Sequence, residues 1–337
     1  MGMNANKWLK VVPEGLYCAP GDFHIDAMSP VATNVVTHGH ADHARAGHDR
    51  VFVTPITADI MRTRYGEDCA REMHPVPYGE KFGIGDVTLW FEPAGHVLGS
   101  AQVVIEHDGT RVVVSGDYKR RRDPTCAPFK VTECDVFITE ATFGLPVFRH
   151  PTTESEIAKL VKSLRLFPER CHAVGVYSLG KCQRVIMELR EQGYVKPVYL
   201  HGALVRLCEL YRRHGVDLGE TIPISSIDKK ILRGEIVLCP PSALADRWAR
   251  SLPDVLPCNA SGWMQIRGRA KQKLIELPLV ISDHADWDEL LQTVDDVKAR
   301  EVWITHGRED ALTHALEQKG IKARSLRLVG YEEEDND

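Results

Sequence analysis

Four metal-capable side chains fall within six positions: His38, His40, Asp42 and His43, in the segment Thr37-His-Gly-His-Ala-Asp-His43. Imidazole suits zinc, and carboxylate suits zinc or manganese. His-x-His puts two imidazoles on one side of an extended chain. Past Gly39 and Ala41 the chain turns, so Asp42 and His43 can reach a second ion nearby. A solvated polar loop explains one lone His well; it explains this set of four poorly.

Further ligand types occur with a common local grammar. Gly95-His96 follows residues 87–91, an alternating strand pattern. Ser115-Gly-Asp117 follows the apolar run 111–114. Ile304-Thr-His306-Gly307 ends the strand-like run 301–304. The first block itself follows 34–37, a short buried strand pattern. Each site puts a His or Asp just past a β run and beside a Gly, where the backbone turns sharply. A single His after a strand is usually satisfied by a backbone carbonyl. Four sites built alike form a constellation.

This order of residues resembles the metallo-β-lactamase superfamily. The resemblance implies an αββα sandwich and two divalent ions, zinc by default and manganese as the other candidate. It implies that His38, His40 and His96 hold one ion, that Asp42, His43 and His306 hold the other, and that Asp117 bridges them. Asp26, ending the run 23–26, matches the family's first motif and orients ligands there. His40 stands where the di-iron branch has a carboxylate, which favours a dizinc hydrolase.

A narrower resemblance follows from Glu140 at the end of 136–139, from Tyr177-Ser-Leu-Gly180-Lys181 leading into a helical pattern, and from Ser282-Asp-His284-Ala-Asp286 before another helix. With His306, these are similar to the motifs of the β-CASP nucleases, the RNA-processing branch included. The mixture is most similar to bacterial ligase-associated DNA damage response exonucleases. The resemblance implies a parallel sheet flanked by helices, inserted in the sandwich. It implies phosphodiester hydrolysis in which Asp42 and Asp117 hold the metals, His284 is the general acid and Glu140 supports it. DNA is the favoured polymer, cut from 5′ to 3′ in repair, with a DNA ligase and other repair proteins as partners. An RNA-processing nuclease is the runner-up. A thioester hydrolase is a third reading, disfavoured by the roughly 190 residues between Asp117 and His306.

The elements that must position these residues divide the chain. Residues 1–150 read as strands and turns, the first part of the metallo-β-lactamase domain. From 151 to 265 strands alternate with helices, at 156–164, 172–177, 181–191, 197–200, 204–214 and 235–239, as a parallel sheet with crossovers requires. Residues 266–330 return to the first domain, and 331–337 form an acidic tail. Ser178, Gly180 and Lys181 lie where a strand runs into a helix. Free N–H groups at such a start attract phosphate; capping by Ser178 is the plainer local alternative, and the β-CASP resemblance favours phosphate binding by these three residues.

Bulk properties set limits. Of 337 residues, 43% are hydrophobic and 26% charged, ordinary for a soluble protein. No run approaches the ~20 apolar residues of a membrane span, and the N-terminus has no secretory apolar core. Nine cysteines without a Cys-x-x-Cys pair read as reduced thiols in the cytoplasm. The net charge of −5 gives no global sign of nucleic-acid binding. Local basic runs do: Lys119 and Arg120 open the run 119–122 beside the Asp117 loop and are candidates for phosphate contact. Arg267, Arg269, Lys271 and Lys273 form a second group.

Overall fold

The computed structural model describes residues 5–326, so the expected acidic tail lies outside the described residues. The chain is a mixed α/β protein of two compact units. Among the described residues, one comprises 5–149 and 284–326; the other comprises 150–283.

Two sheets build the first unit. The first orders Leu9–Val12, Gly15–Cys18, Phe23–Ile25, Thr33–Val35, His48–Val53 and Ala70–Pro75, antiparallel at the start and parallel from Phe23–Ile25 on. The second orders Lys322–Ser325, Glu301–Gly307, Val136–Ala141, Thr110–Val114, Ala101–His107, Val87–Pro93 and Phe82–Ile84. Alternation along its strands divides their side chains between two cores. Val103, Ile105, Val112, Ile138 and Trp303 join Leu16, Ile25 and Val35 of the first sheet in one buried cluster. Their chain neighbours Val104, Val113, Phe137, Val302 and Ile304 face the opposite way. They pack on Trp287, Leu290, Val294, Leu312 and Leu316 of the helices Trp287–Val297 and Glu309–Gln318. The helix Pro55–Tyr65 lays Ala58 and Met61 on Val51 and Val53 of the first sheet. Each buried Val, Leu or Phe contributes about 1.5–3 kcal/mol, so a one-residue slip would exchange the two faces of a strand and lose many such terms.

Helix ends are fixed by their own residues. Thr54 caps Pro55–Tyr65 with Pro55 at the first position. Asp286 and Glu289 form a reciprocal capping box on Trp287–Val297, at 3.0 and 3.1 Å. That box fixes where the chain leaves His284.

The second unit is a parallel sheet ordered Thr221–Pro223, Val198–Leu200, Ile236–Cys239, Cys171–Gly175, Val255–Ala260, Leu277–Leu279. Helices Thr153–Leu166, Lys181–Glu191 and Gly202–Arg213 accompany it. Its inner strands are buried throughout, as parallel strands covered on both faces must be. The unit closes at Asp283 rather than at 265, because Leu277–Leu279 pairs with Val255–Ala260. That strand is three residues long with Pro278 at its centre, an edge strand whose sequence carries almost no β signal.

Candidate metal centre

The strands Thr110–Val114, Val136–Ala141 and Glu301–Gly307 are parallel neighbours, so their carboxyl ends share one edge of the sheet. Asp117, Glu140 and His306 stand at that edge. His306 is displayed by a register shift opposite Glu140 and Ala141, with φ +58. Gly307 follows at φ +87; a Cβ there would lie 2.3 Å from the Ala141 carbonyl oxygen. Gly116, at φ +55, leaves 2.8 Å between a would-be Cβ and Thr37 Cβ. A side chain there would displace Thr37, the residue before His38.

Four ligand atoms, from His38, His40, His96 and Asp117, all lie within 4.8 Å of one another. His40 Nδ1 is 3.1 Å from His38 Nε2 and 3.0 Å from His96 Nε2. Asp117 Oδ2 is 3.3 Å from His38 Nε2 and 3.4 Å from His43 Nε2. Asp42 Oδ2 is 3.5 Å from His43 Nε2, and the His43 and His306 rings stand 5.4 Å apart. All seven expected ligands therefore meet, from four segments of the chain.

The supporting shell sets the tautomers. Buried Asp26 accepts from Thr37 N–H at 2.8 Å, from Thr37 Oγ1 at 2.6 Å and from His43 Nδ1–H at 2.8 Å. Thr37 Oγ1 gives its hydrogen to Asp26, so at 3.0 Å from His38 Nδ1 it accepts. His38 and His43 thus both carry hydrogen on Nδ1, and both aim the Nε2 lone pair at Asp117 Oδ2. In the neutral rings two Nε2 lone pairs then face one carboxylate oxygen, and a cation bound between them would relieve that contact, so the donor set fits a metal.

The electrostatics agree. Burial opposes a charge on His43, yet Asp117, Asp42 and Asp26 raise its pKa well above the ordinary value. Burial and the nearby His43 lower His38, and push His306 down to about 3. Burial raises Asp117, but His43, His284 and His38 together hold it well below the carboxylate range. The carboxylates attract positive charge that several crowded imidazoles cannot all carry as protons.

Beside this cluster, His284 Nδ1 lies 2.9 and 3.1 Å from the two oxygens of Glu140. Glu140 also accepts from Tyr118 N–H at 2.7 Å. Both residues are buried, and the His284 ring is 4.7 Å from that of His96. With Asp117 they form a second convergent group.

The phosphate-directed expectations fare differently. Lys119 is buried, its Nζ 3.5 Å from the His284 carbonyl oxygen. Arg120 pairs with Asp296 at 2.7 Å. The Arg120 charge is thus paired within the fold, and Lys119 is enclosed by it. In the second unit Gly180, at φ +89, is the helix cap, and Gln183 accepts from its N–H at 2.9 Å. Ser178 does not cap. Lys181 is fully buried, with Nζ 3.0 Å from Asp283 Oδ2. Arg184 approaches the same carboxylate at 3.4 Å. An ammonium held inside by a carboxylate is not presented to a solvent phosphate.

Comparison with known proteins places this geometry. No family model matches the chain. A probable DNA ligase of Opitutus terrae is 30% identical over 330 residues, covering 95% of this chain and 31% of that protein. An RNase J-like protein of Methanocaldococcus jannaschii is 25% identical over 207 residues, covering 52% of this chain and 49% of the other. The chain thus spans about a third of the first relative's length and about half of the second's. The chain belongs to the β-CASP branch of the metallo-β-lactamase superfamily. A crystallised protein of unknown function from Enterococcus faecalis has a similar fold, with TM-score 0.57 at 14% identity over 87% of this chain and 78% of the other.

This β-CASP chain also holds site residues that motif reading passes over. Thr37 relays Asp26 to His38. Arg121 donates from its N–H to Glu289 at 2.8 Å and pairs with Asp286 at 2.5 Å. Ala285 N–H donates to the Tyr118 carbonyl at 2.7 Å. The turn after Asp117 is thereby tied to the turn carrying His284. The capping box at Asp286 and Glu289 was the only local signal for it.

Proposed function

We propose that this chain is a two-metal phosphodiesterase that hydrolyses nucleic acid, built on the αββα sandwich of its family with an inserted β-CASP unit. The paired lone pairs of His38 and His43, both facing Asp117, support this reading most. His38, His40 and His96 would hold one divalent ion, and Asp42, His43 and His306 the other, with Asp117 between. Zinc is the first choice from the imidazole count, and manganese the second. Such a pair supplies Lewis acidity that makes a water nucleophilic at neutral pH and offsets charge gathering on the phosphoryl group.

The chain's own residues do the rest. Asp26 and Thr37 hold two imidazoles in the tautomer that leaves Nε2 free for ligation. Glu140 accepts the Nδ1 hydrogen of His284 and so directs His284 Nε2 away from itself. A proton on that Nε2 is available to the departing 3′-oxygen, and the Glu140 carboxylate stabilises the imidazolium that carries it.

DNA is favoured over RNA. The Opitutus terrae relative, matched over 95% of this chain, is described as a probable DNA ligase. A nuclease segment and a ligase in one polypeptide suit successive steps on one DNA strand. We therefore propose a 5′ to 3′ DNA exonuclease acting in repair in the cytoplasm, alongside a DNA ligase. No helix among the described residues is long and apolar enough to cross a membrane. RNA processing is the second reading, favoured by the RNase J-like relative. End-labelled DNA and RNA, single- and double-stranded, with 5′-phosphate or 5′-hydroxyl ends, should be digested and the products sized. Mononucleotides released from 5′-phosphorylated DNA are the expected result. Internal cuts in RNA alone would transfer the assignment to RNA processing.

A further inference from the structure

The net charge of −5 conceals a division. Residues 150–283 carry 20 Lys and Arg against 14 Asp and Glu, a net +6, so the remainder of the chain carries −11. A basic unit within an acidic protein is the electrostatic footprint of a polyanion. Much of the first unit's basic charge is paired internally: Arg111 with Glu106, Arg120 with Asp296, Arg121 with Asp286, Lys130 with Glu92. In the second unit the positive charge concentrates between Asp254 and Glu276. That stretch contains Arg267, Arg269, Lys271 and Lys273 and no acidic residue.

Its local structure presents these groups together. The short helix Arg267–Gln272 follows the turn Gly262–Gln265. Ser261 Oγ accepts from Trp263 N–H at 3.2 Å and fixes that turn. The Arg269 guanidinium lies 4.1 Å from the Trp263 ring centre, so the ring holds it in place. Arg267, Lys271 and Lys273 are exposed. Arg267 with Lys271, and Arg269 with Lys273, are like-charge pairs four residues apart. Such pairs destabilise a helix, and among the described residues neither Arg267 nor Lys271 has an acidic partner to relieve it.

We infer that Arg267, Arg269, Lys271 and Lys273 form the strand-holding surface of the second unit, on which the phosphodiester backbone of single-stranded nucleic acid lies. This rests on the nucleic-acid reading above. Each phosphate neutralised on a single strand adds about 0.7 to the slope of log K against log salt. The double variant R267Q/K271Q removes two contacts and should lower that slope by about 1.4, which is roughly 25-fold in affinity at 0.1 M salt.

The test is fluorescence anisotropy of the full chain with labelled single-stranded DNA and RNA across a salt series, with chelator present so that no strand is cut. The control variant K162Q/R165Q removes two other exposed charges, from the helix Thr153–Leu166. The expected result is a reduced slope for R267Q/K271Q and an unchanged slope for the control, with neither melting below the wild type. An unchanged slope for R267Q/K271Q, or an equal loss in both variants, would overturn the assignment of this surface while leaving the nuclease reading intact. A wild type that binds neither nucleic acid would overturn the nucleic-acid reading, and this surface with it.

Discussion

Asp26→Asn tests the logic of the centre without touching a proposed ligand. The carboxylate accepts three hydrogen bonds, from Thr37 N–H, Thr37 Oγ1 and His43 Nδ1. An amide has one oxygen. If that oxygen keeps Thr37 N–H, the NH2 group faces Thr37 Oγ1 and His43 Nδ1. His43 must then present a lone pair at Nδ1, which moves its hydrogen to Nε2. Thr37 Oγ1 accepts from the amide and donates to His38 Nδ1, which moves that hydrogen to Nε2 as well. Both imidazoles would then turn N–H groups toward the metal position. The opposing choice keeps the ligating tautomers and breaks hydrogen bonds to a charged group, worth about 1.5–3 kcal/mol each. Losing one such bond lowers affinity by about 10- to 100-fold, the range measured for partners that orient metal-ligating histidines. Calorimetric titration of zinc or manganese into chelator-treated protein reads that loss directly. Activity at saturating metal separates it from an effect on turnover. Wild-type affinity for both ions in D26N would refute the tautomer account.

Other expectations follow from the same contacts. His284→Ala and Glu140→Gln should keep two ions bound yet lose most turnover; unchanged turnover in either, measured on a nucleic-acid substrate, removes it from the chemistry. Gly116→Ala should destabilise the protein by about 1–3 kcal/mol through strain at positive φ and a clash with Thr37, read by thermal melting, and should weaken metal binding too. A wild-type melt and affinity would deny the close approach of these two turns. The metal-free protein should lose stability as pH falls from 6.5 toward 3. His306 is partly buried and uncharged, with its pKa depressed from 6.5 to about 3, so the unfolded chain takes up its proton first. His306→Gln should flatten that acid limb of the melting-temperature profile; an unaltered limb would mean that the fold does not depress the His306 pKa.

Much of the centre was readable from residue types. Metal ligands need particular side chains at strand ends, and such side chains are scarce enough that their order along the chain is informative. Alternation placed the strand 87–91, and short apolar runs placed 111–114 and 136–139, where one strand face packs on the opposite sheet and the other on helices. Pairings between distant charges were not readable. Nothing near Arg120 reveals Asp296 as its partner, and nothing near Lys181 reveals Asp283. Basic residues beside a metal loop look available for phosphate until the fold brings carboxylates to them. The unit boundary was missed for a related reason: a three-residue edge strand around Pro278 owes its existence to pairing with its neighbour. The charge division between the units was equally hidden, since it appears only once that boundary is known.

We propose that His38, His40, Asp42, His43, His96, Asp117 and His306 hold a pair of divalent ions. Anomalous diffraction from crystals grown with zinc, and separately with manganese, would locate them. Two peaks are expected, one among His38, His40 and His96 and one among Asp42, His43 and His306, with Asp117 next to both. A map with no peak there, from protein whose side chains are otherwise ordered as described, would contradict the proposal.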